Sequence, residues 1–565
     1  AIVRGETRKA RLEAAKPENK DNAPKPWRTV ALMPLSNSQI DQILALNGVT
    51  DGDALKAEIE RRRVWDFARR PQDLIEICAY WNRHKQLGNR AEQVAQNIAA
   101  KLQEPIDRKV LVQLSEEKAL EGAERLALAL ALTRLKTIRV SGKSLDKHET
   151  DLALDPGVVL SDWSAKERNE LLQRGIFGFA SYGRVRFHHR SVLEFLAAQR
   201  LHKLVSEKRM PTRALLRMLF GERYGQKVVF PAMRPITAWL ALWNEQVQRE
   251  VLVREPQALI DDGDPESFSP IAKNAILEAF SGRYAASDWR GIRFPYDQIR
   301  RFACSELAPA IRRIWDTGIT NPEIEELIID VIEAGRIAEC VDIARAIAID
   351  TKANSNNRVT ALMAVCELDT PTNANAIATG VLDPKNQWSE RAKQNLLDAI
   401  FPKHITVDQF CQLLQQFTVD KREVGGPSWH LPRLFAALEL APDLRKELRT
   451  KITKLLAGSI EKSVNWPHFT SRYSYLGTGL AALCQIDLNS GTAISDDLIE
   501  ACVVSRHCHD REYGDEKPSA EVRRHFVNAD AGVRQRAFRI ESRFFLALAP
   551  SDDAWTHCYH SLYEG

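Results

Sequence analysis

The chain has 565 residues and a mass of 63.9 kDa, more than one ordinary domain holds, which excludes a single compact core. Its 44% hydrophobic and 27% charged residues exclude wholesale disorder. Seventy-nine basic residues against 75 acidic ones leave a formal charge of +4, too little over this length to predict a polyanion partner from the total, so any basic surface must be local.

Residues 8–27 are rich in Lys, Arg, Glu, Asn and Pro without apolar periodicity, and read as linker. A short strand is predicted at 29–33, before Pro34. Ser36 and Gln39 have capping-box spacing ahead of Ile40, Ile43 and Leu44, which share one helical face. Further helices are predicted over 54–67, 72–81, 91–103 and 116–134, with a break at Arg69, Arg70 and Pro71, giving a small helical bundle. From Trp163 the pattern changes. Ser164 and Glu167 form a second capping box, and Gly175 is placed to end that helix. IFGFA and RVRFH follow as a hairpin, and a helix beginning near Arg190 carries Val192, Leu193, Leu196, Leu201 and Leu204, so the unit is winged-helix-like. Beyond about Thr212 strand signals almost vanish, and helical stretches recur at a loose spacing of roughly 30 to 45 residues, as in HEAT-like helix pairs stacked in an α-solenoid.

Nine scattered cysteines, an odd number mostly in helical runs, suit a reduced, cytoplasmic chain. The longest apolar run, LALALAL at 126–132, is far short of the roughly 20 residues a membrane helix needs, so no membrane partner is expected. Cys502, His507, Cys508 and His509, with His557, Cys558 and His560, contain no CxxC pair, and no metal site is assigned to them. A phosphate-binding loop would need GxxxxGK[ST] ahead of a helix; at SGKS, 141–144, the first glycine is replaced by Thr137 and no helix follows. The chain therefore carries no phosphate loop of its own and is not by itself assigned as an enzyme. It opens without an initiator methionine and closes on an aromatic, leucine-rich stretch instead of a polar cap, so a longer parent is expected.

FHHRSVLEFLAAQRL, 187–201, resembles the (F)xHRSxxEFLAA signature that closes the winged-helix domain of NACHT-type STAND ATPases. VALMPLSNSQIDQIL and FARRPQDLIEICAYW resemble the entry strand and four-helix lid of the same family, and the order of parts agrees. The specific likeness covers about 200 residues, 27–204, and the whole is most like the Avs class of antiphage defence sensors. The resemblance implies four parts: 1–28, tail of the ATPase core and linker; 29–135, helical lid; 136–211, winged helix; 212–565, helical-repeat sensor.

It also implies nucleotide contacts. Pro71 would be the proline of the family's GxP motif beside adenine, with Arg69 standing where the family has glycine. A proline at a helix start offers a rigid apolar edge without an amide donor, though it is also an ordinary way to begin a helix. His189 would reach the β-phosphate of bound ADP, with His188 leaving a one-residue ambiguity, and Arg4 would be a sensor arginine at the end of a core strand. ATP or ADP with Mg would belong to the longer parent and not to this chain alone. The implied partners are a viral or other protein ligand on the repeats and further copies of the chain on activation. Arg523, Arg524, Arg534, Arg536, Arg539 and Arg543, interleaved with phenylalanines, are a candidate partner-binding stretch for an acidic protein or nucleic acid. The alternatives are a non-enzymatic α-solenoid scaffold or a winged-helix DNA-binding regulator.

Overall fold

In a computed structural model, the described residues are 34–61, 65–103, 114–140, 153–181, 183–287, 291, 293–418, 427–461, 470–491, 493–508 and 518–548. The strand expected at 29–33, the linker, Arg4 and SGKS lie outside them. The fold is mainly α, as the periodicity predicts, with the expected short hairpin among its few strands. By contacts it divides into two units, one of residues 1–248 with 262–267 and one of 249–261 with 268–565.

The first unit begins with α1 (Asn37–Leu46), α2 (Gly52–Arg61), α3 (Trp65–Ala68), α4 (Pro71–His84), α5 (Arg90–Gln103) and α6 (Glu116–Thr133). The Ser36–Gln39 capping box forms as expected. Ile40, Leu44, Leu55, Ile59, Leu74 and Trp81 close a small core across α1, α2 and α4. At the start of α5, Asn89 and Glu92 exchange two hydrogen bonds, and the buried Asp264 carboxylate accepts from the Ala91 amide at 2.9 Å.

Next come β1 (Ile138–Arg139), α7 (Pro156–Val159), α8 (Ala165–Leu172), β2 (Phe177–Ser181), β3 (Arg184–Phe187) and α9 (Arg190–Ser206). The Ser164–Glu167 capping box starts α8, and the expected hairpin forms with Phe177 opposite Phe187. β1 adds a third strand on the far side of β3, an element that its two residues could not announce. Arg174, buried just before β2, donates to Leu102 O at 2.7 Å and Leu114 O at 3.0 Å, tying the end of α5 and the approach to α6 to the hairpin. Among the described residues the most extensive helix pairing is α6 with α9.

Beyond them the structure departs from the sequence reading. After α10 (Thr212–Leu219) a second antiparallel hairpin, β4 (Phe220–Arg223) and β5 (Gln226–Val229), precedes α11 (Arg234–Ala241). A further short pair, β6 (Ile460–Glu461) and β7 (Thr470–Ser471), lies in the second unit.

α12 (Glu245–Arg254) spans the division between the units. The second unit continues with α13 (Ala258–Asp261), α14 (Pro270–Tyr284), α15 (Tyr296–Phe302), α16 (Ala308–Asp316), α17 (Pro322–Ala334), α18 (Val341–Ile349), α19 (Ser355–Leu368), α20 (Pro371–Gly380), α21 (Glu390–Ile400) and α22 (Val407–Leu414). It ends with α23 (Pro427–Ala437), α24 (Pro442–Gly458), α25 (Gly477–Asn489), α26 (Asp496–His507), α27 (Pro518–Val527) and α28 (Ala531–Leu548). Helices pack on the next but one along the chain, α15 on α17, α17 on α19 and α19 on α21, then α24 on α26 and α26 on α28. That is the pattern stacked helix pairs produce. Buried asparagines hold the stack at a regular interval. Asn321 donates to Tyr284 O, 37 residues back, and Asn357 to Pro322 O, 35 residues back, so the start of α17 is bonded to the end of α14 and the start of α19 to the start of α17.

Candidate functional site

The first unit holds a polar cavity of about 170 Å³. Its walls come from three places. Arg70, Asp73, Glu76 and Ile77 approach from the start of α4; Arg90, Gln93, Val94 and Asn97 run along one face of α5; His189, Ser191 and Val192 form the first turn of α9. Each wall follows from a local rule. Pro71 occupies the first position of α4, where its missing amide costs nothing, and this places Arg70 as the N-cap and Asp73 in the first turn. On α5, positions 90, 93, 94 and 97 fall on one side by the 3.6-residue period. His189 is the N-cap of α9 but its side chain makes no capping bond, so the first-turn amides of Ser191 and Val192 receive nothing from it.

Two polar atoms at this site are buried without a hydrogen-bond partner among the described residues: Nε2 of His189 and Oδ1 of Asn97. A buried polar atom with no partner costs about 1–3 kcal/mol, so such atoms mark where a ligand or ordered water completes the structure. Burial, then the neighbouring Glu76, push the Asp73 carboxyl above the usual range, while Arg90, Arg70 and His189 oppose the shift. The Arg70 guanidinium lies 3.8 Å from Asp73, and Lys101 Nζ lies 3.7 Å from Glu76. The cavity therefore mixes cations that can take a phosphate with carboxylates that hold those cations in its absence.

The residues singled out from sequence fall as follows. His189 lines the cavity. Its neighbour His188 is exposed and sits on the hairpin side, its amide bonded to Ile176 O at 3.0 Å, and partial desolvation, then the charge of Lys101, push its imidazole down. Pro71 is exposed at the head of α4, adjacent to the cavity-lining Arg70 but not itself in the wall. Arg69, in the family's glycine position, turns away: it donates to Leu35 O at 2.7 Å and Asn37 Oδ1 at 3.1 Å and lies over the Trp65 ring. Arg190 and Glu194 pair with each other at 2.7 Å and brace α9.

In the second unit, Arg523, Arg524, Arg534, Arg539 and Arg543 are exposed on α27 and α28; Arg524 pairs with Glu521 and Arg536 with Asp496. Phe526 and Phe545 from the same stretch are core residues. His507 bonds Glu541 at 2.7 Å, and Cys502 and Cys508 are buried. No group of three metal-ligating side chains occurs among the described residues. No described helix is long and apolar enough to cross a membrane.

Sequence reading missed α5 as a wall of this site. Arg90, Gln93 and Asn97 form the polar side of an amphipathic helix, which looks the same from sequence whether it faces solvent or a cavity. No family model, curated protein or solved structure matches the chain.

Proposed function

We propose that this chain is the regulatory and sensor portion of a STAND-type nucleotide switch, in which the lid and winged helix grip a nucleoside diphosphate and the helical repeats bind a viral protein in antiphage defence. The observation that carries the reading is the convergence of two sequence-distant motifs on one cavity: the segment led by Arg70 and Pro71, and the first turn of α9 led by His189, 118 residues later.

The residues fit a phosphate. His189 Nε2 lies buried and unsatisfied, the α9 amides carry the partial positive charge of a helix N-terminus, and Arg70 and Arg90 bring full charges. Bound nucleotide would supply the negative charge that links the winged helix to the lid and to an ATPase core in the longer parent, where ATP, ADP and Mg belong. His189 would donate to the phosphate, while Arg70 and Arg90 would exchange their carboxylate neighbours for it. Protein binding to the repeats would favour an open state with the cavity divided, releasing the diphosphate and allowing copies of the chain to assemble. The same reading makes the protein cytoplasmic.

The test is the full-length parent carrying His189→Ala. Faster loss of ADP and raised basal activity are expected; unchanged nucleotide occupancy and basal activity would sink the gating role.

A further inference from the structure

The hairpin that sequence patterning did not announce suggests a second activity, independent of the nucleotide reading. Between Glu207 and Lys227 stand Lys208, Arg209, Arg213, Arg217, Arg223 and Lys227 against only Glu207 and Glu222, so these 21 residues carry the chain's entire formal excess of +4. On α10, Leu215 and Leu219 are buried, and Arg213 and Arg217 occupy the opposite, exposed face one turn apart. The helix runs directly into β4, and Lys227 extends the charge along β5. Arg209 is held by Glu207, but Lys208, Arg213, Arg217 and Lys227 have no ion pair among the described residues.

The hairpin tip is equally pointed. Tyr224 and Gly225 form the two-residue turn, with φ of +54° and +75°, inside the Arg223–Gln226 pair. Glycine and asparagine suit such a type I′ turn, whereas a bulky side chain at positive φ costs about 1 kcal/mol or more. Tyr224 is nonetheless there and 91% exposed, where it adds nothing to the core. A strained, exposed aromatic at the end of a two-stranded ribbon, with the exposed Lys227 on the adjoining strand, is suited to insertion in a groove lined with phosphates.

We infer that α10 and the β4–β5 hairpin form a docking surface for double-stranded nucleic acid, with Arg213, Arg217 and Lys227 on backbone phosphates and Tyr224 at the groove. Recognition through phosphates makes the binding largely indifferent to sequence and steeply dependent on salt.

The experiment is fluorescence anisotropy of a labelled random-sequence DNA duplex titrated with the whole chain at low and moderate salt. The wild type should bind, and Arg213→Glu/Arg217→Glu/Lys227→Glu should weaken binding at least about tenfold and cut the salt slope by about three. The neutral set Arg213→Gln/Arg217→Gln/Lys227→Gln, which keeps the surface without introducing acid, should fall between them. Tyr224→Ser should weaken duplex binding without changing the salt slope. No duplex binding by the wild type at low salt overturns the inference, as does equal binding by the folded charge variants. Displacement of the duplex by polyglutamate or phosphatidylserine vesicles as readily as by unlabelled duplex would also overturn it, and would assign the surface to an acidic protein or a membrane.

Discussion

The carboxylate of Glu124, fully buried on α6, accepts a 2.6 Å hydrogen bond from the ammonium of Lys203 on α9. Burial pushes the Glu124 carboxyl up, and Lys203 opposes that shift, so the pair is what keeps a charge tolerable between the two most extensively packed helices. Lys203→Met should strand the carboxylate and lower the stability of the first unit by about 2–4 kcal/mol, discounted because Lys203 itself is partly exposed. Glu124→Leu/Lys203→Met should recover most of the loss. Hydrogen exchange of the α6 and α9 amides measures both without requiring the whole chain to unfold in one step.

Asp73 competes with any phosphate for Arg70, Arg90 and His189. If the cavity holds ADP in a longer parent, as proposed, Asp73→Asn should therefore slow its release by about fivefold, roughly 1 kcal/mol. Because burial raises the Asp73 carboxyl, lowering the pH neutralises it early and should strengthen wild-type retention, a trend that Asp73→Asn should flatten. Release rates that stay parallel across pH would show that Asp73 does not face the ligand.

On α17, burial first and Glu326 second push the Asp330 carboxyl up to about 7. A carboxyl whose folded value lies above its unfolded value favours the folded state while protonated, so stability falls as pH rises from about 4 to about 7. Asp330→Asn should remove that slope and leave the second unit more stable by on the order of 2–4 kcal/mol at pH 8, with little difference at pH 4. Thermal unfolding at the two pH values provides the comparison.

Gly479 sits where α25 packs closely on α23. A Cβ there would lie 2.8 Å from the Phe435 ring and 3.1 Å from Leu431 Cβ, closer than side chains normally tolerate. Gly479→Ala should destabilise the second unit by about 1–3 kcal/mol despite its better helix propensity. A rise in melting temperature would show that the two helices can separate at little cost.

Both capping boxes, the β2–β3 hairpin and α9 were legible because each rests on residues adjacent in sequence: Ser36 with Gln39, Ser164 with Glu167, and alternating apolar residues around Gly183. The β4–β5 hairpin escaped because its strands are four residues long and carry Gly221, Glu222 and Lys227, which interrupt apolar alternation. The asparagine bonds of the repeats were equally hidden. Asn321 and Asn357 are polar residues near helix starts, where surface capping is the ordinary expectation, and their burial arises only once the preceding repeat is stacked beside them. The cavity was half legible: His189 and the Arg70–Pro71 corner stood out, while the face of α5 that joins them had the composition of a solvated surface.

Arg174 has a mechanical consequence. Its guanidinium grips carbonyls at Leu102, where α5 ends, and at Leu114, just ahead of α6, while its own backbone leads into β2. The helix that walls the cavity and the three-stranded sheet are thereby riveted at one buried point. A ligand that shifts α5 must carry the sheet with it, so a displacement begun at the cavity is transmitted as the swing of a stiff lever, not absorbed as local flexing.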